Sequence, residues 1–365
     1  MNPPILPMLA KRVSELPQGE GWIFEPKWDG FRVLVFRDDD ETFMQSRDEK
    51  PLNRYFPEIV DALQATLPDR CVVDGELVIV TDHGLDFETL QMRLHPAASR
   101  VNLLAKQTPA SIVFWDVLCR GDRDLRAAPF HERRAELERL LSKATPPVHL
   151  TPTTTDRDLA VDWFRRFEGA GLDGVMAKPA SGIYESNKRV MLKVKHEREC
   201  DCVVGGFRWH KGGQGTAVGS LLLGLHDDSG SLQHVGVCAS FTLQKRRELV
   251  EFLAPYGSNG LDGHPWKHWA GGDSAGGGQR VPGGKSRWSQ EKDLSWVPLR
   301  PELVVEVAYD HMQGSRFRHT AHFRRWRPDK KPRDCTYQQL EVVPPQELEA
   351  IFRMENAELE TANRK

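Results

Sequence analysis

The 365-residue chain contains no run of eighteen apolar residues, so no stretch is long enough to cross a bilayer as a helix. Its opening, MNPPILPMLAKRV, puts prolines where a secretory leader needs an unbroken apolar helix. A cytoplasmic protein is expected. Paired CxxC spacings are missing as well. The six cysteines, Cys71, Cys119, Cys200, Cys202, Cys238 and Cys335, are scattered, which argues against a zinc ribbon or a disulfide framework and for buried free thiols. There is no excess of positive charge either: the formal net charge is −2, a poor match to a polyanionic partner if that charge were evenly spread.

It is not evenly spread. Residues 1–197 carry 27 basic and 31 acidic side chains, and residues 198–365 carry 23 and 21. Residues 316–333 include eight basic side chains and one acid, Asp329. A local basic stripe on a near-neutral protein suits a nucleic-acid groove as well as it suits a solvated face. The remaining composition, 39% hydrophobic and 28% charged, is that of a globular chain long enough for two domains.

Residues 31–36 (FRVLVF), 71–80 (CVVDGELVIV), 111–117 (SIVFWDV) and 190–195 (VMLKVK) have the β-branched and aromatic enrichment of strands. Residues 55–66, 131–142 and 158–171 have helical periodicity, the last stopping at Gly171. The first part therefore reads as α+β. Beyond KHEREC (195–200) come short apolar runs between glycine-rich turns, with one helix at 244–255, which predicts a small β-barrel and a hinge near 196–200. Residues 271–284 hold seven glycines, and GGKS follows at 283–286. A P-loop would need glycine where Gln279 stands, so a barrel loop is expected instead.

Chemistry concentrates around EPKWDGFR, residues 25–32. A lysine amine at its ordinary pKa is only about one part in a thousand unprotonated at neutral pH, so a nucleophilic Lys27 needs cationic neighbours or desolvation. Lys178 ends DGVMAK, and Lys193 and Lys195 of LKVK project to one face of a strand. Cations directed into one pocket call for an anion. Asp29, Glu76 and Asp173 stand in similar strand or turn contexts; facing a polyphosphate, they could hold Mg²⁺, which would also suppress protonation of a neighbouring lysine. Taken singly, the Asp-Gly pairs at 74–75 and 173–174 read as ordinary turns.

Together these segments resemble the covalent nucleotidyltransferases, specifically the ATP-dependent DNA ligases of the stand-alone bacterial C type. The matching segments are KWDGFR, QSRD, VVDGELV, FWDVL, DGVMAK, LKVK and RWRPDK, in family order. The resemblance implies a nucleotidyltransferase domain of antiparallel sheets with helices over residues 1–197, then an OB-fold β-barrel domain with a C-terminal helical tail over 198–365. It implies that Lys27 takes AMP from ATP as a phosphoramidate, passes it to a 5′-phosphate, and that a 3′-hydroxyl then displaces it to seal a nick. By the same resemblance Glu25 lies near adenine, Arg32 and Arg47 meet phosphate, and Glu76 serves ribose or metal. Trp115 stacks on the base, with Phe114 competing for that place. Lys178, Lys193 and Lys195 contact the α-phosphate, and Arg327 and Lys330 engage the triphosphate as the barrel closes. Mg²⁺ or Mn²⁺ would sit at Asp29, Glu76 and Asp173. The fourth element departs from the family, whose usual glutamate is here Asp173. With Lys27 so near the N-terminus, a minimal monomeric ligase is expected, nucleoid-associated, gripping nicked duplex DNA and working beside a repair polymerase or an end-binding protein. An RNA ligase, a GTP-using mRNA guanylyltransferase and a decayed DNA-binding module remain as alternatives. Nucleotide dependence of the covalent adduct and the choice between nicked DNA and RNA distinguish them.

Overall fold

Residues Phe31–Asp38 carry apolar side chains in succession, the pattern of a strand covered on both faces. In the computed structural model Val33, Leu34 and Val35 are indeed completely buried, with Val33 and Val35 in one hydrophobic cluster and Leu34 in another. The structure describes residues 1–82, 84–258, 260–267 and 295–340. The glycine-rich stretch at 271–284 and the expected helical tail therefore lie outside the described residues. Backbone contacts divide the chain into two compact units, one formed by Met1–His196 and the other beginning at Glu197.

The first unit contains two principal sheets. One has the strand order Val148–Leu150, Ser111–Arg120, Arg70–Val78, Phe31–Asp38, Glu41–Ser46. The other runs Leu9–Arg12, Arg189–Lys195, Gly174–Pro179, Trp22–Pro26. Each has one parallel edge pair, 148–150 beside 111–120 and 9–12 beside 189–195, so the expectation of antiparallel sheets is corrected to mixed ones. The reason lies in the connections. The helix Phe130–Leu140 carries the chain back between the first pair, and some 180 residues separate the second; neither is a hairpin, and parallel pairing follows.

The helix Arg157–Arg166 shows how local sequence places the site. The Asp156 side chain caps its first turn by accepting from the N–H groups of Asp158 and Leu159 at 2.8 and 3.2 Å, a cap of about 1 kcal/mol. Ala160 and Trp163 are buried against the second sheet, and Trp163 alone contributes about 2 kcal/mol by leaving water. A short 3₁₀ turn follows, and Gly171 at φ 81° ends it in a conformation that costs glycine little. The next strand then begins beside Asp173.

In the second unit five antiparallel strands have the order Leu232–Cys238, Val218–His226, Arg198–Trp209, Val297–Tyr309, His322–Trp326, with the helix Leu243–Leu253 following the third strand in the chain. This arrangement is consistent with an OB-fold. The predicted closed barrel is not found among the described residues. The two edge strands are tied by one parallel bridge, Cys238 to Ala321, because the first turns away after Cys238 and the other has only five residues. All six cysteines are free and buried. No helix among the described residues is long and apolar enough to cross a membrane.

Candidate active site

Lys27 is set by its neighbours on both sides. It continues the Trp22–Pro26 strand, with its N–H donating to the Gly174 carbonyl at 2.8 Å while the Asp173 N–H donates to the Lys27 carbonyl at 2.9 Å. Trp28, 3% exposed, turns inward and its Nε1–H donates to Thr151 Oγ1 at 2.8 Å. The tryptophan thus anchors the segment from behind, and Lys27 faces the cleft. Gly174 pairs with Lys195 on the next strand, so Lys27, Asp173 and Lys195 form one row across three strands. Asp173 Oδ2 lies 2.7 Å from Lys27 Nζ and 2.8 Å from Lys195 Nζ. Burial opposes ionisation of Asp173, but the two lysines outweigh it and hold its carboxyl below the usual value.

The Asp-Gly pairs are not the turns that their sequence suggests. Gly75 lies inside the Arg70–Val78 strand, where a Cβ would overlap the Val113 carbonyl oxygen. Gly174 has φ 135° and a Cβ there would overlap the Val194 carbonyl oxygen. Glycine is needed at both places for close approach of backbone, not for chain reversal.

A cleft of about 180 Å³ opens before Lys27, lined by Glu25, Arg32, Arg47, Glu76, Trp115, Lys178 and Lys193 among others. Residues from both sheets of the first unit meet there. Trp115 is half-buried at its wall, whereas Phe114 is wholly inside the core, because alternate residues of a strand face opposite sides. Lys193 makes no ion pair among the described residues; burial, then Lys27 and Lys195, lower its pKa to about 8. Arg47 is exposed at the rim.

Other cations are already engaged. Lys178 Nζ lies 2.6 Å from Glu25 Oε2, both nearly inaccessible, and 5.6 Å from the centre of the Trp115 ring. Burial raises the pKa of Glu25 and lowers that of Lys178, each against the pull of its partner. Glu25 Oε1 is buried with no hydrogen-bond partner. Arg32 holds Asp74 through two hydrogen bonds, Nε to Oδ1 at 3.0 Å and Nη2 to Oδ2 at 2.6 Å, and donates from Nη1 to the Met8 carbonyl at 2.6 Å. Glu76 Oε1 accepts from the Gly30 N–H at 3.1 Å, and burial raises its pKa to about 7 despite Lys27 and Arg32.

Of the sequence-derived site residues, the cleft brings together Lys27, Glu25, Arg32, Arg47, Glu76, Trp115, Lys178 and Lys193, and Asp173 and Lys195 join through the row. Asp29 does not line the cleft. Asp29, Glu76 and Asp173 do not converge: among the described residues no three histidine, cysteine or acidic side chains are placed to hold a metal. Arg327 and Lys330 belong to the second unit. There Arg327 contacts Asp329 (2.8 Å), Asp201 (3.0 Å) and Glu306 (3.1 Å), and Lys330 lies 3.6 Å from Asp201. Sequence reasoning missed Asp74, Asp201 and Glu306. Each had a signal, a carboxylate within an apolar strand, which is costly unless paired.

Two family models match the chain, ATP dependent DNA ligase domain over residues 7–195 and ATP dependent DNA ligase C terminal region over residues 214–330. DNA ligase C2 of Mycolicibacterium smegmatis is 56% identical over 343 residues, covering 94% of this chain and 96% of the relative. DNA ligase C of Mycobacterium tuberculosis is 54% identical over 345 residues, covering 93% and 94%. Among solved structures, one from a study of DNA binding by the minimal scaffold of Lig E DNA ligases superposes with a TM-score of 0.53 at 16% identity, covering 88% of this chain and all of that one. The cleft, its row of lysines and these likenesses lead to one identification: the chain belongs to the ATP-dependent DNA ligases, of the bacterial C type.

Proposed function

We propose that Lys27 is the residue that carries AMP, and that the enzyme uses it to seal 3′-hydroxyl/5′-phosphate nicks in duplex DNA during repair. The observation that carries this reading is the position of Lys27 Nζ, at the mouth of a cleft lined by Lys193, Arg32 and Arg47 and in a row with Lys195. Phosphoryl transfer is governed by positioning and charge stabilisation, and that cluster supplies both. The neutral amine attacks the α-phosphorus, an N–P bond forms as the P–O bond to the β-phosphate breaks, pyrophosphate leaves with that electron pair, and the nitrogen releases its proton to solvent. Lys27 Nζ lies 2.7 Å from Asp173, so it must leave that contact to reach the α-phosphorus.

Glu25 Oε1, buried and unpartnered, suits an acceptor for the amino group of adenine; the 6-oxo group of guanine would repel it. Trp115 forms the adjoining wall and stacks on the base. Lys178 supports Glu25, while Lys193 and Lys195 serve the α-phosphate, and Arg327 and Lys330 engage the triphosphate during adenylation. Residues 1–197 would thus be the adenylation domain, and residues from 198 on the OB-fold domain. Glu76 and Asp173 are oxygen donors suited to Mg²⁺ or Mn²⁺ when phosphate oxygens complete the shell. A bound divalent ion would neutralise charge on the departing pyrophosphate. We place the enzyme in the cytoplasm, at the nucleoid, acting as a monomer on nicked duplex DNA alongside a repair polymerase or an end-binding protein.

Incubation with ATP and Mg²⁺ should add the mass of one AMP at Lys27, found by mass spectrometry of the digested protein. An adduct at another residue, or none in protein that seals nicks, overturns the assignment.

A further inference from the structure

We infer that Tyr184 is a positioning residue for nucleotide binding, acting through Asp74 on Arg32; this rests on the proposed role of Arg32 at phosphate. The Tyr184 hydroxyl donates to Asp74 Oδ2 at 2.8 Å and accepts from the Met8 N–H at 3.1 Å. Tyr184 is 5% exposed and Asp74 is completely buried. Four segments far apart in sequence therefore close one network: the Met8 carbonyl on Arg32, the Met8 N–H on Tyr184, and both Tyr184 and Arg32 on Asp74.

The donor inventory of Arg32 gives this network its purpose. A guanidinium has five N–H groups. Three are used on Asp74 and Met8, which leaves one on Nη1 and one on Nη2. Their direction is fixed by the plane of the guanidinium, and that plane is set by the two-point contact with Asp74. Arg32 is held 5.5 Å from the centre of the Trp115 ring, and both residues line the cleft. Among the described residues Asp74 forms its ion pair with Arg32, a carboxylate so held has acceptor capacity to spare, and Tyr184 fills part of it, preventing Asp74 from turning and carrying Arg32 with it. Tyr184 also fixes Met8, and the next two residues, Leu9 and Ala10, are cleft wall. One hydroxyl thus orients a phosphate-facing arginine and the wall beside it without touching substrate.

The test is a double-mutant cycle read by single-turnover formation of the AMP adduct against ATP concentration. Tyr184→Phe should raise the ATP concentration for half-maximal adenylation about fivefold, the value of one hydrogen bond, with less than about a twofold change in the maximal rate. Asp74→Asn, which keeps the shape of the side chain, should raise it more than about tenfold. In an Arg32→Lys background, which lacks the planar fork, Tyr184→Phe should shift the half-saturation point less than about 1.5-fold. Equal shifts in both backgrounds, or no shift with Tyr184→Phe alone, overturn the proposal. No shift with Arg32→Lys alone would overturn it together with the reading of Arg32 on which it rests.

Discussion

The cations around Lys27 in the first unit and Arg327 in the second are held in opposite ways. In the first, Lys27 and Lys195 share one carboxylate, Asp173, while Lys193 makes no ion pair among the described residues and Arg47 is exposed at the rim. The cleft therefore has a local surplus of cations held close together, and burial first, then Lys27 and Lys195, lower the pKa of Lys193. In the second, Arg327 alone contacts three carboxylates, Asp201, Glu306 and Asp329, and its charged form is stabilised well beyond the ordinary. The first unit gains by taking up an anion. Arg327 must exchange existing partners before it can offer its charge to one.

The largest effect expected from this contrast is at Arg327. If its guanidinium is brought to the triphosphate only for adenylation, Arg327→Ala should slow formation of the AMP adduct about 100-fold, the usual cost of losing one charge-stabilising donor. Sealing of DNA that already carries adenylate should change less than about threefold, since no triphosphate takes part in that step. Single-turnover assays of the two steps check this directly. Similar losses in both would place Arg327 on DNA or in the fold instead.

A smaller effect should follow from titrating the surplus itself. Lys193 is surrounded by Lys27, Lys195, Asp173 and Arg47, and its pKa in the folded protein is about 8. It is charged below that value and loses its proton as pH rises through it. Binding of ATP should therefore weaken about tenfold from pH 7 to pH 9, and Lys193→Met should remove the step. The stability of the nucleotide-free protein should move the other way. Between about 8 and the ordinary lysine value the unfolded chain holds more protons than the folded one, so Lys193 adds stability as pH rises. Calorimetric titration and thermal melting over that range distinguish the two trends.

Much of the first unit could be read from its residues, and the reasons are specific. Strands such as Phe31–Asp38 and Ser111–Arg120 announce themselves by β-branched density, and the helix Arg157–Arg166 by its periodicity and its glycine stop. That Lys193 and Lys195 lie on the same side of their strand was legible because alternate residues share a face by strand geometry alone. What escaped was set by tertiary contact. The parallel edge strands depend on partners far along the chain. The glycines of two Asp-Gly pairs answer to carbonyl oxygens on neighbouring strands, and nothing local records that. Tyr184 stands in a loop with no periodicity, so its bond to Asp74 across 110 residues had no sequence signal. In the second unit the short strands were legible, but whether they close depends on where Cys238 and Ala321 meet, which spacing does not determine.

The smallest predicted effect tests whether the pairing in the second unit restrains Arg327 or arranges it. Asp201 lies in the Arg198–Trp209 strand and accepts from Arg327 Nη1 at 3.0 and 3.1 Å. Its backbone is held independently by Gln339, whose side chain accepts from the Asp201 N–H at 2.8 Å and donates to its carbonyl at 2.9 Å. Asp201→Asn therefore removes charge while leaving the strand anchored. Asp329 and Glu306 would still hold Arg327, and partly exposed ion pairs contribute little individually, so the change should be modest. If Asp201 acts as a restraint, adenylation at low ATP should quicken, by no more than about threefold. If it slows instead, the carboxylate is needed to orient the guanidinium, and the second unit is organised as the first is, with acids arranging cations for an incoming phosphate.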